Sequence, residues 1–152
     1  MSYRPPIGAA TASTKGIIKL AGDIGGTADV PTVSNMAKAT LGGQETVSTN
    51  SAATATVTLN LTAGNVFNLT LIGNVTLVFF GAVAGKACSF AIYLKQDATG
   101  NRVVTWPTPS VKWSGGSPPA LSSAPNSVDV VVFESLDAGT TWYGSLVGTA
   151  FS

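Results

Sequence analysis

Four carboxylates in the second half of the chain, Asp97, Asp129, Glu134 and Asp137, are the first candidates for chemistry. Glycoside hydrolysis needs two of them facing each other across a cleft. Asp97 and Asp137 fall in turn sequences, Asp97-Ala98-Thr99-Gly100-Asn101 and Asp137-Ala138-Gly139, where an Asp side chain caps the backbone. Asp129 and Glu134 flank the run Val130–Phe133, and nothing in the spacing pairs them. No Asp-x-Asp ladder of the kind that binds calcium occurs. Histidine is absent, which removes Ser-His-Asp, Cys-His and His-based zinc sites. The single cysteine, Cys88, sits in Ala87-Cys88-Ser89-Phe90 and reads as a small buried hydrophobe with no intramolecular disulfide partner. The expectation is a protein that is not an enzyme and takes no cofactor or metal. The aromatic residues leave one ligand open. Trp106, Trp113, Trp142 and Tyr143 either stack on sugar rings at a sheet rim or fill the core. Trp113 and Tyr143 are the candidate glycan contacts, because Trp106 and Trp142 read as core.

Two further motifs are weaker. Asp23-Ile24-Gly25-Gly26-Thr27 looks like the phosphate-binding loop of the sugar kinase and actin-like ATPase superfamily, but 152 residues without helical periodicity cannot supply that two-lobed fold. Asn60-Leu61-Thr62, Asn68-Leu69-Thr70 and Asn74-Val75-Thr76 fit the glycosylation sequon, as alternating strands of Asn, Thr and apolar residues do by chance. Charge adds little. Eight basic and seven acidic residues leave a net charge of +1, without the basic face of a nucleic-acid binder. The longest apolar run, Val75–Ala84, is about half the ~20 residues of a spanning helix, and the first residues do not read as a secretory signal. No nucleic acid and no membrane insertion are expected.

The elements that must position these residues divide the chain in two. Residues 1–45 are rich in Gly, Ala and Thr, with a strand-like run Gly16–Leu20, turn-like Gly25-Gly26-Thr27 and a helix start around Pro31–Ala39. They lack the large apolar residues for a core. Yet Ile17, Ile18, Leu20, Ile24 and Val30 are too apolar for a free tail, so 1–45 reads as an extended N-terminal docking arm. From residue 46 to 152 the apolar period becomes two. Strand-like runs centre on Val57–Leu61, Phe67–Leu71, Val75–Phe79, Cys88–Leu94, Val104–Trp106, Val128–Phe133 and Trp142–Val147, with turn residues between them, including Ile72-Gly73-Asn74. This predicts an all-β fold, an antiparallel β-sandwich or jelly-roll knob. Thr46–Gly85 holds no charged residue, although exposed strands normally carry charge against edge pairing. Faces so neutral point to contact with other protein in an oligomer, the alternative being a monomer with a Thr-rich solvated sheet.

Two groups of residues carry a family likeness. Ser13-Thr14-Lys15-Gly16-Ile17 with Leu20, Gly22-Asp23 and Gly25-Gly26-Thr27-Ala28 resembles a short segment of tailed-bacteriophage tail fibres. Thr99-Gly100-Asn101-Arg102-Val103-Val104-Thr105-Trp106-Pro107 and Gly139-Thr140-Thr141-Trp142-Tyr143-Gly144 are similar to a C-terminal β-domain of phage fibre and minor tail proteins. The resemblance implies a non-enzymatic virion structural protein, usually a homotrimer, made in the host bacterial cytoplasm and displayed on the virion surface. Its partners would be copies of itself and other virion proteins of the tail, baseplate or major capsid, with a host-surface glycan as a further ligand. Such fibres usually carry a long shaft of coiled coil or Gly-x-y triplets, which this sequence lacks. A capsid decoration (cement) protein is therefore the alternative, and a carbohydrate-binding module the third.

Overall fold

A computed structural model describes residues 24–27, 30–33 and 45–152. The chain divides into two compact units, Met1–Gln44 and Glu45–Ser152. In the first, β1 (Ile24–Thr27) pairs antiparallel with β2 (Val30–Val33), from Ile24 beside Val33 to Thr27 beside Val30. Gly25–Thr27 and Pro31–Val33 are thus strand, where the sequence suggested a turn and a helix start. In so short a pair every strand is an edge, which tolerates both glycine and the missing Pro31 N–H. Ile17, Ile18 and Leu20 lie outside the described residues.

The second unit is built from β3 (Val47–Asn60), β4 (Val66–Phe80), β5 (Cys88–Gln96), β6 (Val104–Thr105), β7 (Val111–Trp113), β8 (Val128–Ser135) and β9 (Trp142–Phe151). All seven belong to one sheet, in the order β3-β4-β5-β8-β9-β7 with β6 beside β4. The all-β expectation holds. The pairing differs from an antiparallel sandwich or jelly roll: β3–β4, β4–β5, β4–β6 and β7–β9 are parallel, and β5–β8 and β8–β9 are antiparallel. Alternation of apolar and polar residues reports which face a side chain takes; it is blind to strand direction.

Parallel neighbours ordinarily need a crossover of a dozen or more residues. Here only residues 61–65 join the end of β3 to the start of β4, although Val47 lies beside Val66 and Asn60 beside Phe80. A straight strand of 14 residues would run about 45 Å. The link spans at most ~20 Å. Both strands must therefore fold back on themselves. In β3 the fold lies at the register shifts between Asn50 and Ala55, where Ala55 takes φ +54° and Asn50 Oδ1 accepts from the Ala52 N–H. In β4 it lies at Ile72-Gly73-Asn74, which the sequence marked as a turn between two strands and which is a corner within one. The second limb of each strand is its own crossover.

The result is a coil whose second circuit lies 18 to 20 residues after the first. Its third circuit is split: β5 continues the first limb beside Val66–Leu71, and β6 continues the second beside Val75–Thr76. Close stacking fixes the corner residues. A Cβ on Gly73 would stand 2.5 Å from Thr54 Oγ1, and one on Gly64 2.6 Å from the Thr46 carbonyl oxygen, each contact reaching back one circuit. The two limbs form two layers with the core between them. Leu59, Leu69, Leu71, Leu77, Ile92, Val131 and Phe133 are fully enclosed. Phe79, on the second limb of β4, spans the layers: its ring centroid lies 4.9 Å from those of Phe90 and Phe133 and 5.5 Å from Trp142.

Candidate functional site

Of the ionisable and aromatic residues singled out above, Asp97, Trp106 and Asp137 lie in loops, and Trp113, Asp129, Glu134, Trp142 and Tyr143 on β7, β8 and β9. Arg102 Nη2 donates to Asp97 Oδ2 at 2.8 Å, and Asp97 Oδ1 accepts from the N–H groups of Thr99 and Gly100. The guanidinium bond, aided by these two N–H groups, holds the Asp97 carboxyl below the ordinary carboxylate range. Asp137 is lowered in the same way, first by the Thr141 N–H, and its side chain also accepts from Ser135 Oγ. Both acids tie turns, as the sequence expected.

Two buried polar side chains fasten the long segment between β7 and β8. Gln96 Nε2 donates to the carbonyls of Arg102 and Ser122, each at 3.0 Å, and its Oε1 accepts from the Arg102 N–H. Asp129, 2% exposed, accepts from the N–H of Ser122 with one oxygen and of Ala150 with the other. Sequence reading passed over Gln96 and weighed Asp129 only as an acid. An inward position on a strand otherwise lined by Val131 and Phe133 was the available signal for Asp129. Asp129 and Glu134 leave β8 on opposite faces, so they are not a facing carboxylate pair. Among the described residues, no group of three or more His, Cys, Asp or Glu could hold a metal ion. Burial, and then the Asp137 charge, push the Cys88 thiol up, the opposite of the shift that activates a nucleophilic cysteine.

The aromatic candidates separate. Trp106 and Trp142 are core, 6% and 2% exposed. Trp113, half-buried, turns inward: its ring centroid lies 5.1 Å from Trp106 and 5.5 Å from Phe133, and its edge occupies the space a Gly144 Cβ would take. Tyr143 sits one register position away, beside Lys112 and Glu134, but points outward and is 57% exposed. The two candidate glycan contacts therefore lie on opposite faces of the sheet. Two clefts adjoin the aromatic cluster. One, of about 350 Å³, runs between Arg102–Trp106 and Pro118–Ser123. The other, of about 400 Å³, lies between the second limb of β4 and Thr105–Ser110, with Trp142 at its floor.

Bent β strands stacked in register, with their chemistry spent on tying turns, define an all-β structural domain. Residues 53–134, more than half of the chain, match the family described as "Putative phage tail fibre C-terminal domain", and the chain belongs to that family. It is a phage structural protein of the tail-fibre type and a virion component. Residues 8–78 match a second family, a repeat of unknown function, which runs through β1 to β4. No curated protein and no solved structure matches the chain. No helix among the described residues is long and apolar enough to cross a membrane.

Proposed function

We propose that the chain is a non-enzymatic tail-fibre component that assembles as a homotrimer, docks on other virion proteins through residues 1–45, and presents the β domain for host-surface adhesion. The family match over residues 53–134 carries this reading, and it favours the tail over the capsid. The neutral stretch Thr46–Gly85 supports self-assembly: it forms the first two circuits, and β3 is an uncharged strand of 14 residues paired on one side only, to β4, among the described residues. Ile17, Ile18, Leu20, Ile24 and Val30 supply the apolar side chains for docking. A host-surface glycan is the adhesion ligand of this reading, with the exposed Tyr143 as its contact and Trp113 as support from the opposite face.

The test uses the purified full chain and phage particles. Light scattering should give about three times the 15.3 kDa chain mass. Pre-incubating host cells with the protein should reduce phage adsorption, and deleting residues 1–45 should abolish incorporation into particles while leaving that competition intact. Unchanged adsorption at saturating protein, or particles that carry the protein on the head, would refute the proposal.

A further inference from the structure

The outer face of the first-limb layer has a charge pattern that its own fold leaves unused. Val47, Val66, Ala91 and Val132 stand side by side across β3, β4, β5 and β8 and all point away from the core. In the next rows Thr49, Asn68, Tyr93 and Val130 stand side by side, then Thr70, Lys95 and Val128, so the stripe is apolar across its first row and along β8 and neutral polar on β3 and β4 beyond it. Tyr93, on β5 inside the sheet, is 42% exposed, a large value for an aromatic residue there, and Val47, at the start of the edge strand β3, is 55% exposed. Lys95 marks one end of this stripe and Glu134 the other. Six residues of β8 separate their levels, about 20 Å along the strand, so the two cannot pair within one chain. Glu45 reinforces the acidic end by bonding Asn65 there, while Lys112 lies two strands away from Glu134, beyond Tyr143.

Opposite charges at opposite ends of one otherwise neutral face are complementary to another copy, about a two-fold axis where the faces stack and head to tail where their ends meet around a ring. Any closed ring that brings the leading end of one subunit to the trailing end of the next sets Lys95 against Glu134 at every junction. Five strands (β3, β4, β5, β8 and β9) at ~4.8 Å spacing and a ladder of about seven residues give roughly 500 Å² in projection, below the ~800 Å² per partner of a standard interface, so side chains bordering the stripe must add to the contact. A recess of about 290 Å³ between Glu45, Asn65, Ser89, Ala91 and Val132 lies at the acidic end. Phe151, 51% exposed and beside Val128 at the basic end, lies with its ring over Gly148 of its own strand and adds apolar surface at that end.

We infer that this face is the subunit interface, occupied by a second copy of the chain, with Lys95 of one copy paired to Glu134 of the next. The inference rests on the proposal that the chain self-assembles and adds which surface does so. Both residues are exposed at the ends of well-packed strands, so reversing either charge leaves the fold intact, as circular dichroism will verify. The expected result, by analytical ultracentrifugation of the full chain, is at least tenfold weaker assembly for Lys95→Glu and for Glu134→Lys. Recovery to within about threefold of the native protein is expected for the Lys95→Glu/Glu134→Lys double variant. Phe151→Ser should weaken assembly without touching the charges. Single variants that assemble like the native trimer would overturn the face but leave self-assembly standing, and so would a double variant no better than either single one. A monomeric native protein would overturn both. A dimer that shows the same charge-swap rescue would support the face and refute only the trimer.

Discussion

The fold-back of β3 and β4 makes a sharp demand on Gly73. If the circuits stack as described, a methyl group at this corner stands 2.5 Å from Thr54 Oγ1, about 1 Å inside van der Waals contact. Thr54 can give way by changing χ1, but a β-branched side chain has few alternatives, and the backbone here is held by ladders on both sides of the corner. Overpacking of this size costs about 1–3 kcal/mol. Replacing glycine also lowers the entropy of the unfolded chain, which returns ~0.4–1 kcal/mol. With the middle of each range, about 2 less about 0.7, Gly73→Ala should therefore destabilise by a net ~1.3 kcal/mol. The second half of the test is the partner. Thr54→Ala removes the offending oxygen while leaving its Cβ, 3.3 Å from the added methyl. The double variant Thr54→Ala/Gly73→Ala should lie within about 1 kcal/mol of Thr54→Ala alone, a coupling of about 1–2 kcal/mol. Urea denaturation of the full chain, followed by tryptophan fluorescence and circular dichroism, measures all four proteins. Additive effects would refute the stacking of one corner on the other. A Gly73→Ala protein as stable as the native one would do the same.

Phe133 touches the rings of Phe79, Phe90, Trp106 and Trp113 at centroid distances of 4.9 to 5.5 Å, so Phe133→Ala should cost about 3–5 kcal/mol in the same urea experiment. Asp129→Ala strands the buried N–H groups of Ser122 and Ala150, at about 1–3 kcal/mol each; hydrogen exchange should show both amides losing protection. Because Asp97 titrates below its ordinary 3.8, the unfolded chain binds more protons than the folded one in that range. The carboxylate's contribution is present above about pH 4 and is lost as pH falls through the folded value. Arg102→Met should flatten the fall in urea midpoint between pH 5 and pH 2.5, whereas an unchanged slope would remove the Asp97–Arg102 pair from the account. Tyr143→Ala should leave the midpoint nearly unchanged while weakening competition for phage adsorption; Trp113→Ala should lower the midpoint.

The faces of the strands were legible in the sequence because burial imposes its own period. Phe67, Leu69 and Leu71, then Val75 and Leu77, are apolar on alternate positions and buried on alternate positions. The same pattern hid the connection between those two groups. Ile72-Gly73-Asn74 has the composition of a hairpin turn, and a turn there would have made the two limbs antiparallel partners of each other. What decides against the hairpin is non-local: the corner is held by Thr54, one circuit earlier, and both limbs take their ladder partners from β3, β5 and β6 rather than from each other. Candidate site residues divide along the same line. Asp97 and Asp137 were readable as turn caps from their immediate neighbours. That Trp113 turns inward while Tyr143 turns outward depends on the β7–β9 register, which residues 31 positions apart cannot announce.

One regularity in the sequence does announce the coil once its meaning is known. Thr46, Thr54 and Thr62 recur every eight residues, and Gly64, Gly73 and Gly81 follow at nearly the same interval, each lying against the threonine 18 or 19 residues before it. Eight residues is the length of one limb with its bend, and two such steps with a short link make a circuit. The spacing thus encodes stacking: a threonine at each bend of the first circuit, and above it a residue with no side chain, so that the second circuit can settle at strand distance. A hairpin of the same composition would have no reason to keep the two series in phase. The neutrality of Thr46–Gly85 follows from the same architecture, because parallel stacking places equivalent positions of successive circuits directly beside each other. A charge repeated at one circuit's spacing would face its like about 5 Å away. Threonine, asparagine and small apolar residues avoid that repulsion. Where the stack ends at β5 and β8, charge returns with Lys95 and Glu134.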